Sequence, residues 1–277
     1  MRKLIGSVAL AALVAGPATA QVTLDQWGSF ATLAHSDCAD FCDPANDLSW
    51  FLGLTFEPSD GGAGVDTIDN TFSNARGDAF AEASVAVPLV PVVRVDASSA
   101  ALSWTDGTGT AVQGFTYVGA VADTIDVNVH LTGTIANPDA DPGTGLAAQV
   151  SYVGDANVAA FDFETAVQGL FSPDGAVQIE QSASGAVDQS DVLSIPVSPG
   201  DQFYLVASSA ASAGGLNASA ESLGTLTLTF DPADAANLQP ANAPPAPNTL
   251  PALGGPGAAL LALGLAALAV RRLSRRS

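Results

Sequence analysis

Residues 125–132 read Ile125-Asp126-Val127-Asn128-Val129-His130-Leu131-Thr132, with apolar and polar side chains alternating at every step. A period of two sends all the apolar groups to one side of an extended chain and all the polar groups to the other. The apolar members are mostly β-branched, which favours a pleated strand over a helix. The stretch therefore predicts a strand with one dry face and one wet face.

The same pattern recurs outward from it. Leu226, Leu228 and Phe230 alternate with Thr225, Thr227 and Thr229, and Phe161 and Phe163 alternate with Asp162 and Glu164. Phe203, Leu205 and Ala207 share one face of another segment, and Val177 and Ile179 mark a shorter one. Val85, Val87 and Leu89 begin a further run, which Pro88 and Pro91 confine to a sheet edge or split in two. Turn signals punctuate these runs at Asp106-Gly107, Asn137-Pro138, Asp141-Pro142-Gly143, Pro173-Asp174-Gly175, Pro199-Gly200 and Gly214-Gly215. No amphipathic helical run stands between the two chain ends. Many short half-wet strands with Gly, Pro and Asp turns predict an all-β fold, an antiparallel β-sandwich or jelly-roll-like domain over residues 21–231. Within it, Gln202 to Ser208 and Leu223 to Phe230 read as partners joined by the loop Ser209 to Ser222.

The ends differ from this body. Met1-Arg2-Lys3, the apolar run Leu4 to Val14 and Ala18-Thr19-Ala20 have the layout of a secretory signal peptide over residues 1–20, with Gln21 as the first mature residue. Residues 232–249 are rich in Pro and Ala and read as an extended spacer. Leu250 to Val270 is uncharged and long enough for a transmembrane helix. Arg271, Arg272, Arg275 and Arg276 follow as a membrane stop, and this one-sided basic flank places the body outside the cell. The whole chain of 277 residues carries a formal −20. Between Gln21 and Thr249 only Arg76 and Arg94 stand against 28 acidic residues, a formal −26. Such a surface repels nucleic acid and anionic lipid, which argues against both as partners of the body. In an exported chain Cys38 and Cys42 are expected to form a local disulfide, since an oxidising compartment favours it and no second ligand pair completes a zinc site.

The tail resembles the C-terminal sorting signals of the PEP-CTERM type, which exosortases process in Gram-negative bacteria. Leu250-Pro251-Ala252 is similar to the core of the VPLPA variant, with Asn248-Thr249 where Val-Pro stands in that motif. Leu250-Pro251-Ala252-Leu253-Gly254 also resembles the sortase motif L-P-x-T-G, with Leu253 in place of its threonine. The resemblance implies an exported protein of the cell envelope or surface, a sorting protease as partner of the tail, and attachment to the membrane through residues 250–270 or release after processing. It implies no catalytic activity.

Candidate chemistry in the body is sparse. Asn137, Asp139 and Asp141 place oxygen at every second position, as calcium loops do, although Pro142 stands where their glycine is expected and an acidic β-turn accounts for the same residues. Asp162 and Glu164, on one strand face, have the makings of a glycosidase pair or of a solvated surface. His130 shares its polar face with Asp126 and Asn128. No G-x-S-x-G, H-E-x-x-H or glycine-rich phosphate loop occurs. Trp27, Trp50, Trp104, Tyr117 and Tyr204 serve either sugar stacking or core packing. No catalytic or cofactor-binding residue is assigned. Three functions are expected, in this order: a non-catalytic surface or matrix protein, an exopolysaccharide-binding module, and an extracellular hydrolase working through paired carboxylates.

Overall fold

The computed structural model describes residues 23–37, 54–85, 90–100, 103–141, 143–215 and 220–241. The signal segment, Cys38, Cys42, Trp50, Leu250, Pro251, Ala252 and the four terminal arginines lie outside those residues. Among the described residues no helix is long and apolar enough to cross a membrane.

Two antiparallel sheets face each other. One contains β1 (Gly28–Asp37), β2 (Leu54–Ala63), β6 (Ser103–Tyr117), β8 (Gly145–Val153), β9 (Gly175–Gln181) and β11 (Gln202–Gly215), in the order β2-β1-β6-β11-β8-β9. The short β13 (Leu238–Pro240) extends the same edge of β6 that β1 occupies. The other sheet contains β3 (Thr67–Ser73), β4 (Gly77–Ser84), β5 (Val92–Ser99), β7 (Asp123–Ala136), β10 (Gly185–Val197) and β12 (Ala220–Phe230), in the order β10-β7-β12-β5-β4-β3. The described helices are a single turn or little more: α1 (Asp155–Val158), α2 (Phe163–Val167) and α3 (Pro232–Ala235). The fold is an all-β sandwich.

The alternating stretch at 125–132 forms the middle of β7. Ile125, Val127, Val129 and Leu131 are buried between the sheets, and Asp126 and Asn128 face water. Its partner is the second alternating stretch, with Leu226 opposite Leu131 and Leu228 opposite Val129. Each such side chain contributes about 1.5–3 kcal/mol through burial. The pairing of 202–208 with 223–230 expected from the sequence does not occur. β11 and β12 lie in different sheets and face each other across the core, because β11 bonds to β6 and β8 while β12 bonds to β5 and β7.

The core is wedge-shaped. At one end Phe115 stacks on Phe203 at 5.4 Å and meets the edge of Phe230 at 5.3 Å. Toward the other end the facing residues shrink to Ala79, Ala81 and Ala83 on β4, Ala97 on β5, and Ala211 and Ala213 on β11. There the sheets nearly touch. A methyl group added at Gly107 would lie 2.7 Å from the carbonyl oxygen of Phe80 and 2.9 Å from that of Asp96. Asp106-Gly107 is therefore not the turn it resembles but part of β6, and glycine stands there because two facing backbones leave no room for a Cβ.

The segment read as a spacer also begins differently. Pro232 starts α3, where its fixed φ suits a first helical position. Leu238, Gln239 and Pro240 then pair with Tyr117, Thr116 and Phe115. The folded body thus runs to Ala241, whose amide donates to the Gly114 carbonyl at 2.9 Å.

Candidate functional site

One end of the β6-containing sheet is buried on its outer face as well. Residues 154–174, between β8 and β9, leave the sheet and fold back over it. Their neck is closed by Asp174, whose carboxylate accepts from the Gly154 amide at 2.7 Å and from Asn157 Nδ2 at 2.8 Å. Val158 and Phe163 from this insertion pack with Leu24, Val112, Val153, Tyr204 and Val206 into a second, smaller core. Phe161 stacks on Tyr204 at 4.3 Å, and the Tyr204 hydroxyl accepts from the Gln26 amide at 3.3 Å. Burial pushes the Tyr204 phenol above its ordinary range.

Phe161-Asp162-Phe163-Glu164 is accordingly not a strand. Asp162 caps α2, its Oδ1 accepting from the Thr165 amide at 2.9 Å. Phe163 and Ala166, three apart, form the buried side of the turn. The apolar–polar alternation there was a coincidence of four residues, and the capping bond decides the local structure. Asp162 and Glu164 both face solvent.

Under α2 the insertion leaves a cleft of about 230 Å³ on the outer face of β8, β9 and β11. Its walls include Ala166, Val167 and Phe171, and its floor carries Gln149, Ser151, Gln178 and Glu180. Gln178 Nε2 donates to Gln149 Oε1 at 2.9 Å. Ser151 is buried, and its Oγ has no hydrogen-bond partner. A second depression of about 630 Å³ shares Ala147, Glu180 and Ala210 with the first and runs on to half-buried Trp104. The two make one trough along the sheet. The alternation of Phe203, Leu205 and Ala207 marks only the core face of β11 and does not reveal the trough. The intervening Tyr204 and Val206 are also apolar, and a continuous apolar run is the mark of a strand covered on both sides.

Elsewhere the predicted residues have structural partners. Asn137 and Asp141 are buried and build the β7–β8 turn. Asn137 Oδ1 accepts from the Asp141 amide at 2.8 Å, and Asn137 Nδ2 donates to the Asp141 carbonyl at 2.9 Å. Asp141 Oδ1 accepts from the Gly143 amide at 2.7 Å. Asp139 faces solvent, apart from them, beside Ala140 with its positive φ of 53°. Among the described residues no group of three or more His, Cys, Asp or Glu side chains is placed to hold a metal ion.

His130 reaches across the strand pair to Asp188, with Nε2 at 2.7 Å from Oδ1. His35 is buried on the other sheet, between Thr105 Oγ1 and Asn74 Nδ2, both at 3.1 Å, and tilts against Phe72. The two histidines thus belong to different sheets. Tyr117 and Tyr204 are core residues, and Trp27 packs against the core.

Two carboxyls are perturbed. Asp106, on the outer face of β6, is raised from 3.8 by burial, against the hydrogen bonds it accepts from Ser212 Oγ at 2.6 Å and Thr108 Oγ1 at 3.0 Å. Asp96 is raised by burial and then by the nearby charges of Glu221 and Asp78. Neither sits with a nucleophile or second acid in an enclosed cavity.

Comparison of the sequence with protein-family models and with curated protein sequences returned no match.

Proposed function

We propose that the chain is an exported β-sandwich of the bacterial envelope, held at the cell surface or released to the surrounding matrix, with no reaction of its own. The observation that carries the reading is the tail: a Pro/Ala-rich stretch, the Leu-Pro-Ala motif at 250–252, an uncharged run to Val270, and arginines at 271, 272, 275 and 276. An exosortase-type protease is the partner of that tail, and residues 250–270 are its membrane contact. The strongly acidic body supports the reading, since like charge keeps such a domain soluble and away from anionic lipid and nucleic acid. Calcium is no part of the reading, because Asn137 and Asp141 use their side chains in the β7–β8 turn while Asp139 faces solvent; the local disulfide of the exported form joins Cys38 and Cys42.

Mass spectrometry of the protein recovered from its own cells tests this. The expected product begins at Gln21 and either ends near Pro251 or keeps the arginines in a membrane fraction. A cytosolic product that retains Met1 to Ala20 refutes the proposal. Glycan binding is the second reading, favoured by the polar trough on the outer face of the sheet.

A further inference from the structure

We infer that the trough beneath α2 binds a neutral glycan, with one pyranose unit in the cleft beside Phe171 and the chain continuing toward Trp104. The inference locates the glycan reading at particular residues and stands independently of how the tail is sorted.

The chemistry of the lining sets the ligand class. The floor offers an amide pair, Gln149 and Gln178, and the Glu180 carboxylate, all on the outward face of the sheet. Ser208 and Ser209 line the same cleft from β11, and Ser151 is buried beneath it. The wall is apolar, from Val167 and Phe171, and Phe171 meets Phe161 in a T-shaped contact at 6.1 Å. A pyranose presents this combination, with an apolar C–H face and a rim of hydroxyls.

Size and charge narrow the class further. The cleft, at about 230 Å³, falls below the ~300 Å³ at which pockets for drug-sized ligands begin, so it holds one unit of a longer molecule. The exit toward Trp104 passes over Ala147 and Ala210, paired directly opposite each other, and these short side chains keep the trough open. Glu180 and the net negative body oppose uronates, phosphates and sulfates.

An extended peptide fits less well. β8, at the centre of the floor, is already paired with β11 on one side and β9 on the other, so no peptide strand can add there. Recognition has to come from side-chain hydroxyls, amides and a carboxylate, which suits a polyhydroxylated chain.

The test is affinity electrophoresis of the full chain in a neutral detergent, through gels containing laminarin, dextran or galactomannan, with alginate as the anionic control. At least one neutral polysaccharide should retard the protein and alginate should not. Gln178→Ala should weaken the retardation by about tenfold, the equivalent of one hydrogen bond of ~1.4 kcal/mol. Ala147→Trp, which fills the floor from an exposed strand position where an aromatic is well tolerated, should abolish it. Circular dichroism checks that both variants keep the wild-type spectrum and melting. The inference fails if no neutral glycan retards the chain, if alginate alone does, or if either variant keeps wild-type retardation. It also fails if a neutral Ser/Gln peptide displaces the glycan, which would assign the trough to a protein segment.

Discussion

Gly107→Ala is a demanding test of the wedge. The added methyl carbon would stand 2.7 Å from the Phe80 carbonyl oxygen and 2.9 Å from that of Asp96. A carbon–oxygen contact normally settles near 3.3 Å or more. The facing sheet must therefore retreat by about 0.6 Å, and both obstacles are backbone on neighbouring strands, β4 and β5. No rotamer change relieves them. Overpacking of this kind costs about 1–3 kcal/mol. For a domain of this size each kcal/mol moves the melting temperature by about 2–4 °C, so the midpoint should fall by about 2–12 °C. Gly109→Ala is the graded control, since its nearest obstacle is the Val93 Cγ1 methyl at 2.7 Å and a side chain can turn aside. Gly62→Ala is the open control. Nothing lies within 4 Å of its added methyl, and a loss of unfolded-state freedom should stabilise by about 0.4–1 kcal/mol. The assay is thermal unfolding by far-UV circular dichroism, repeated as a urea titration. If Gly107→Ala melts with the wild type, the sheets are not as close as described and the account of the Ala/Gly-rich core is wrong.

Other substitutions probe the site and its surroundings. Asn137→Ala removes both bonds that close the β7–β8 turn and should cost about 1–3 kcal/mol in urea titrations, by the same amount with calcium or with chelator; a loss seen only with calcium would mean that Asn137 serves the ion. Phe163→Ala empties the small outer core, with a cost approaching the ~3–5 kcal/mol of a buried phenylalanine, and limited proteolysis should then cut within residues 154–174 while the sandwich survives; cutting elsewhere first would contradict the separate-core picture. Asp106 binds its proton more tightly folded than unfolded, so stability is greatest with the proton on and falls as pH rises from about 3.8 through the raised folded value. Asp106→Asn should lack that part of the slope in melts recorded across the acid range, and an unaltered slope would remove Asp106 as its source.

Much of the fold was legible because the strands that build the central core are wet on one side. The 125–132 and 225–230 stretches alternate cleanly, and both are strands with the predicted dry faces. Their pairing with each other was not legible, since strand order depends on which dry faces meet in space and alternation says nothing of that. Asp106-Gly107 misled because glycine serves a turn and a close backbone approach equally well, and only the facing carbonyls of Phe80 and Asp96 distinguish the two. Phe161 to Glu164 misled because a helix cap can mimic two periods of a strand. The Asn137 to Asp141 turn was found as a turn, and its oxygens face inward to amides that no sequence pattern displays. The trough was hidden for a related reason. It is made by an insertion folding over a sheet, and its lining comes from four strands spread between Trp104 and Ser212.

The clasp formed by β13 sets how the domain would answer a pull. The chain beyond Ala241 is reached only through α3 and three residues paired to β6, and one of the three is Pro240, which has no amide to donate. Tension applied from the tail would load this clasp before any strand of the main ladders. Undoing it frees residues 232–241, roughly 30 Å of extended chain at ~3.3 Å per residue, while β6 keeps its long pairings with β1 and β11. The sandwich thus carries its own slack: a short reserve of chain that would come free under load and leave the trough, which meets β6 only at Trp104 near its other end, untouched.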